Sequence, residues 1–304
     1  MDGYRSLLLL LVSAAVVCLC GCPKTVRQYT APLPRTLPPS PTLEQVIEVV
    51  NRNNSQIHSF STNEAKLSGP GFPALRASLA YQRPRRLRLR AETSLTGPEI
   101  DLGSNDELFW FWVRRSQPPG VFYCRHEQFA HARVRQAVPI EPDWLIEALG
   151  TTEFDSTLPH QGPVPLSGGR LEVRTIRETP EGPAYKITVV DGLRGLVLEQ
   201  RLFDAKGSLL ASSVASDHRQ DPLSGLIMPK IVEVRCPAAQ FTMRLDLGNV
   251  RINRLSGNPA ELWAMPGYNG VPAIDLSSPS FAPSTVPLDA FTRRPAAPRR
   301  GWRR

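Results

Sequence analysis

The chain has 304 residues, 41% of them hydrophobic, with 30 prolines and a formal net charge of +8. That length allows one large all-β domain of ~200–250 residues with extended ends. Six arginines against one aspartate between Ser277 and Arg304 supply five of the eight net charges, so the remaining body is close to balanced and its charge is no argument for a nucleic-acid partner.

An apolar run from Leu7 to Leu19 leads into Cys20-Gly21-Cys22. The run is too short to cross a bilayer as a helix and has the length of a signal-peptide core. A small residue directly before Cys, just past such a core, is the pattern at which bacterial lipoproteins are cut and acylated. Residues 1–21 are therefore read as a lipoprotein signal peptide. Cys22 then starts the mature chain and carries N-acyl and diacylglyceryl lipid, with no other cofactor. Cys18 and Cys20 would place Val17 or Leu19 in the small-residue position. An ordinary signal peptide or a weak N-terminal anchor is the alternative. An anchored chain belongs to the cell envelope, at a membrane facing the periplasm and with the outer membrane favoured, where nucleic acid is not a partner.

Residues 22–41 carry Pro23, Pro32, Pro34, Pro38, Pro39 and Pro41. They read as an extended tether that, at ~3.1 Å per residue, lifts a domain up to ~60 Å from the bilayer. The folded domain is expected over 42–276. Thr42 and Gln45 make a capping-box pattern, and Leu43, Val46, Ile47 and Val50 share a helix face up to about Ser55. From Phe60 the period becomes two. Leu75, Ala77, Leu79 and Tyr81 alternate with polar residues. After Arg83-Pro84, Leu87, Leu89 and Ala91 alternate with Arg86, Arg88 and Arg90, which read as the wet face of that strand.

A short strand, 99–102, turns through Ser104-Asn105-Asp106 into Glu107–Val113. That second strand is aromatic on both faces and so is expected to be covered on both sides. Further strands are expected near 121–125, 170–176, 184–190, 196–204, 208–216, 229–236, 239–247 and 249–254, with a hairpin turn at Asp204–Gly207. A second helix is expected over Pro142–Leu149, stopped by Gly150, and a short one at Leu262-Trp263. The sum is a mainly β (α+β) fold: a strongly curved antiparallel sheet, a half-open barrel of about eleven strands, with amphipathic helices over an apolar cavity. Residues 277–304 read as a Pro- and Arg-rich disordered tail, solvated or in contact with a polyanion such as anionic lipid.

Chemistry-bearing motifs are sparse. The sequence holds no G-x-S-x-G, H-E-x-x-H, P-loop or G-x-G-x-x-G. His126 and His131 have a spacing that suits neither one helix face nor one strand face, so no metal site is expected. Asp217-His218 reads as a surface pair. Cys124 and Cys236 either pair in an oxidising compartment or stand as two separate buried thiols. No enzyme is expected.

Several segments resemble the family of the periplasmic lipoprotein carrier LolA and the outer-membrane lipoprotein receptor LolB, the latter more closely. They are the entry helix followed by His58-Ser59-Phe60, then Leu79–Pro84, Ser104–Trp110, and Leu262–Pro266 with Gly267. The resemblance implies an apolar trough lined by Leu79, Tyr81, Leu87, Leu89, Phe109, Phe111 and Val113. It further implies that Arg83 holds a lid over the trough and that Leu95 stands on an exposed transfer loop. The partners so implied are acyl chains of lipoproteins or lipids, the membrane through the anchor, and a soluble carrier protein, with the chain itself a monomer. Three acyl chains of a lipoprotein would be held without covalent chemistry. The alternatives are a lipid or glycolipid carrier on the same scaffold, and an envelope interaction or sensor module whose trough its own side chains fill. Metabolic labelling with a fatty-acid analogue is expected to mark the wild-type chain and to vanish in Cys22→Ser; label that survives the substitution refutes the anchor.

Overall fold

A computed structural model describes residues 32–281 apart from 71, 130–133, 136, 137, 139, 140, 180 and 256. The signal peptide, Cys22, most of the tether, His131 and the tail beyond 281 lie outside the described residues. The packed body starts before 42 and runs past 276. Leu37 and Phe281 are both buried, and the Thr36 and Leu37 N–H groups donate to the Leu193 carbonyl.

Helix α1 (Leu43–Asn54) begins at the expected capping box. Thr42 Oγ1 accepts from the Gln45 N–H at 3.3 Å, and Gln45 Oε1 accepts from the Thr42 N–H at 2.9 Å. Its apolar face sets Val46 and Val50 against Leu171, Val173 and Val190.

Fifteen strands form a single sheet in the order β15-β6-β5-β4-β3-β2-β1-β13-β12-β11-β10-β9-β8-β7, with β14 paired to β1. Two antiparallel meanders meet where β1 pairs with β13. The first holds β1 (Ser59–Gly69), β2 (Phe72–Gln82), β3 (Arg86–Thr93), β4 (Gly97–Ser104), β5 (Leu108–Val113) and β6 (Val121–Arg125). The second holds β7 (His160–Leu166), β8 (Arg170–Thr179), β9 (Gly182–Asp191), β10 (Val197–Phe203), β11 (Leu209–Gln220), β12 (Ile227–Cys236) and β13 (Phe241–Asp246). Short β14 (Arg251–Ile252) follows, and β15 (Ala273–Asp275) pairs parallel with β6. The sheet is open and curled, as the sequence led us to expect, with more strands than the eleven anticipated. Two of the observed strands, β7 and β15, fall outside every segment expected to be a strand, and both are edges. β7 contains Pro163 and Pro165, which a strand tolerates at an edge, and β15 is only three residues long.

Register builds the core in rows. Phe60, Tyr81, Leu87, Ser104, Phe109 and Cys124 stand side by side across six strands, and Leu79, Leu89, Leu102, Phe111 and Phe122 form the next row. These rows face inward. Cys124 and Cys236 are both buried and free.

The outward face corrects one expectation. Arg86 and Arg90 are partly exposed, but Arg88 is 3% exposed and lies beneath the C-terminal segment. Its guanidinium donates to Asp101 at 2.6 Å and to the Ala264 carbonyl, and sits over the Trp110 ring. Tyr268 donates to the same carboxylate at 2.8 Å, and burial pushes its hydroxyl pKa up, so it stays a donor. Tyr268 also stacks on Trp112 at 4.1 Å. The strap that follows α3 (Pro259–Leu262) thus covers the second face of the aromatic strand. A Cβ on Gly103 would clash with the Trp110 ring, so glycine there lets the indole lie close against the strand.

Removing one member of a buried ion pair strands the other charge. Asp101→Asn is expected to lower stability by about 3 kcal/mol, whereas Arg88→Met with Asp101→Leu stays within about 1 kcal/mol of wild type. Urea unfolding midpoints check this; an Asp101→Asn midpoint equal to wild type refutes the buried pair.

Candidate functional site

The inward face is roofed by α1 and by a second covering segment, residues 141–152. That segment starts as α2 (Pro142–Ile146), with Pro142 in the first turn where its missing N–H is no loss. It continues as a π-turn over Glu147–Thr151 and stops at Gly150, whose φ of 110° is open to glycine and strained for other residues. Trp144, Ile146, Ala148 and Leu149 are all buried in the main core. Leu79, Tyr81, Leu89 and Val113 are buried in the same core and do not line the hollow described next.

Open space remains under the N-terminal half of the lid. A hollow of about 110 Å³ lies between Leu145 and the strands. One wall is Leu87, Leu102, Phe109 and Phe111 from β3–β5; the other is Val234, Cys236 and Met243 from β12 and β13. Of the seven residues expected to line a trough, Leu87, Phe109 and Phe111 reach this hollow. The β12–β13 wall was missed. The alternation of Val232, Val234 and Cys236 marks an apolar face, but nothing in it says that the curl brings this face opposite β3–β5.

Its walls are almost wholly hydrocarbon and aromatic. Burial pushes the Cys236 thiol pKa up to about 12 and that of Cys124 to about 11, so neither offers a thiolate at neutral pH. Burial also lowers the pKa of His126, whose Nε2 lies 2.9 Å from the Asn105 carbonyl. No cluster suited to a metal ion occurs among the described residues, and no described helix is long and apolar enough to cross a membrane.

Ion pairs stitch the lid to both sides of the sheet. On the β2–β3 corner, Arg85 meets Asp143 at 3.2 Å and Arg83 meets Glu153. On β8 and β9, Arg177 meets Glu141 at 2.9 Å and Lys186 meets Glu147 at 2.6 Å. Arg135, just before the lid, pairs with Glu181. Arg83 does most among these, because its guanidinium also donates to the Ile57 carbonyl at 2.8 Å and the Asn54 carbonyl at 2.6 Å. It therefore joins three elements: the carbonyls that follow α1, the corner before β3, and the end of the lid. The partners on β8–β9 had no sequence signal, since pairing so distant in the chain depends on the curl.

Leu95 stands in the turn between β3 and β4 and is 94% exposed, more than any other large apolar residue described. The turn is pinned below it by the Thr96 N–H donating to Thr93 Oγ1 at 2.9 Å. Because strands alternate in direction, this turn lies at the opposite end of the strands from the Arg83 corner.

No family model matches the chain, and no curated protein matches it in sequence. Solved structures do resemble it in shape. A LolA superfamily protein from Nitrosomonas europaea matches with 11% identity and a TM-score of 0.45 over 74% of this chain and 99% of that one. An outer membrane lipoprotein-sorting protein domain from Vibrio parahaemolyticus matches with 11% identity and a TM-score of 0.46 over 72% and 96%. A DUF1329 family protein from Desulfovibrio piger matches with 13% identity and a TM-score of 0.44 over 72% and 98%. Likeness this remote carries no functional argument, so function is read from this chain's own residues.

Losing the Arg83 ion pair and two carbonyl contacts is expected to weaken lid closure by about 1–2 kcal/mol. Hydrogen exchange in Arg83→Leu should then speed up by about tenfold over 147–153 while β3–β5 stay protected; unchanged exchange there removes Arg83 from any lid role.

Proposed function

We propose that this chain is a lipid-anchored envelope protein that takes up acyl chains beneath a movable lid and receives or passes on lipidated proteins. The observation that supports it is the hollow itself, whose lining is almost wholly apolar and whose roof is tied to the sheet by ion pairs. Acyl chains entering it lose water at about 0.8 kcal/mol per methylene, so capture needs no covalent step and no nucleotide.

The volume bounds the cargo in the closed state. At roughly 10–15 Å³ per water by the same measure, the hollow has room for about eight waters, the bulk of one short alkyl chain. Three chains would require the lid to lift and Trp144, Ile146 and Leu149 to leave the strands they cover. Anchoring through Cys22 and a location at a membrane facing the periplasm belong to this proposal, as do a soluble carrier as donor and a monomeric state. Leu95, held clear of the body, is suited to touch a membrane or a partner during hand-over.

Mass spectrometry of lipids that co-purify with the Cys22→Ser chain tests this reading. Triacylated peptides support lipoprotein cargo, phospholipid or glycolipid supports a lipid carrier, and an empty protein refutes acyl-chain binding. Leu95→Glu is expected to leave the unfolding midpoint unchanged and to cut delivery of lipidated cargo to vesicles several-fold; unchanged delivery removes the loop from transfer.

A further inference from the structure

The inward face is not apolar throughout. Register sets Val173 opposite Thr188, Thr188 opposite Gln200 and Gln200 opposite Ser213. Val173 packs beneath α1, so the three polar residues that follow it lie in a row on the roofed side of the sheet. Each is at most 2% exposed, yet Thr188 Oγ1 and Gln200 Oε1 have no hydrogen-bond partner. An orphaned buried polar atom costs about 1–3 kcal/mol, so this row is suited to a guest that brings hydrogen bonds.

Gln200 and Ser213 line a second cavity of about 20 Å³, walled also by Asn54 at the end of α1, Thr152 at the end of the lid, and His218. By the measure used above it holds one or two waters. Its hydrogen-bonding groups are carboxamides and hydroxyls. Glu199, also on its rim, is paired with Arg201 at 3.1 Å. His218 has its Nε2 3.1 Å from the Val197 carbonyl, and burial lowers its pKa, so it is neutral at physiological pH. Nothing here favours a charged guest of either sign.

Both cavities share one roof. Glu141, Pro142 and Leu145 cover the apolar hollow, whereas Ala148, Gly150 and Thr152 cover the polar chamber. The two are thus covered by successive turns of one short segment.

Resting on the acyl-chain reading above, we infer that the chamber walled by Gln200 and Ser213 is a polar subsite for the uncharged polyol headgroup of an amphiphile whose chain lies in the hollow. In the closed state water occupies the chamber, and it joins the hollow when the middle of the lid, Trp144 to Leu149, rises together with the first turn while Gly150 serves as the hinge. The preferred ligand is then a neutral lipid with a hydroxylated head, and bare hydrocarbon or an ionised fatty acid binds less tightly.

Three ligands of equal chain length test this by calorimetry below their micelle concentrations: octyl β-glucoside, monooctanoylglycerol and octanoate. The otherwise complete chain carrying Cys22→Ser is expected to bind at least one of the polyols about tenfold tighter than octanoate, and the tighter of the two tells sugar from glycerol. Gln200→Leu with Ser213→Ala should abolish that preference and leave octanoate affinity within about twofold. Ser213→Ala alone, a smaller change in the chamber wall, should reduce the preference in the same direction and serves if the double variant does not fold. Equal binding of all three ligands by the unsubstituted chamber, or a preference that survives the variants, overturns the subsite and leaves acyl-chain binding standing. No binding of any ligand overturns both.

Discussion

An inward-curling sheet with one apolar face must be roofed, and here the roof is smaller than the face beneath it. Thirteen inter-strand pairings carry the inner rows from β15 and β6 through to β7; among the described residues α1 covers one end, the lid segment the middle, and Phe129, Val134, Leu276 and Phe281 pack on Phe109, Phe111, Phe122 and Cys124 at the other. α1 is committed to Leu171, Val173 and Val190 at one end of the sheet. The lid covers the middle with Trp144, Ile146 and Leu149. Between the lid's first turn and the strands that curl up beside it, no large side chain among the described residues fills the space. The hollow follows from that shortage of roof, and its greasy character follows from strand alternation, which must place Leu87, Phe109 and Phe111 on the inner side once Arg86 and Arg90 point outward.

Closure of the lid divides into two unequal parts. Its middle and C-terminal end are held by buried apolar side chains, by Asn54 donating to the Thr152 carbonyl, and by Arg83 reaching three elements. Burial of each large apolar side chain there contributes about 1.5–3 kcal/mol. The N-terminal end above the hollow is held by Glu141–Arg177 and Asp143–Arg85, pairs with half-exposed side chains, and such pairs contribute about 0–1 kcal/mol each. The first turn can therefore lift at small cost while the Gly150 end stays down. A hinge at that end agrees with the crowding there, where a Cβ on Gly150 would meet the Pro229 ring at 2.6 Å.

Local order was legible in the sequence, and long-range closure was not. The capping box, the two-residue periods, the Gly150 stop and the Asp204–Gly207 turn are decided by neighbours in the chain, and they stand as read. Leu95 was expected on an exposed loop only through the family resemblance, and its 94% exposure had no separate local reading. Arg88 was not legible. Alternation assigns it to water, and only the return of residues 263–268 across the outer face, with Asp101 below them, makes it a buried cation. The polar row Thr188–Gln200–Ser213 escaped for a related reason, because its members sit in three different strands and become neighbours only through register. β7 was hidden by its prolines, which read as loop until an edge position makes them acceptable.

The two faces of β5 explain which part of the site moves. Phe109 and Phe111 face the hollow, while Trp110 and Trp112 on the reverse are clamped by the C-terminal strap through Tyr268, with Arg88 and Asp101 fixed beneath it. A strand packed on both sides, and joined to strands on both edges, cannot yield without breaking the buried ion pair and the aromatic stack together. The strand wall is therefore the rigid half of the site. The lid carries no second layer above it among the described residues and ends in surface pairs, so it is the compliant half. On the proposed reading, a guest would enter by displacing the lid and be gripped against β3–β5, with its polar end nearest Gly150.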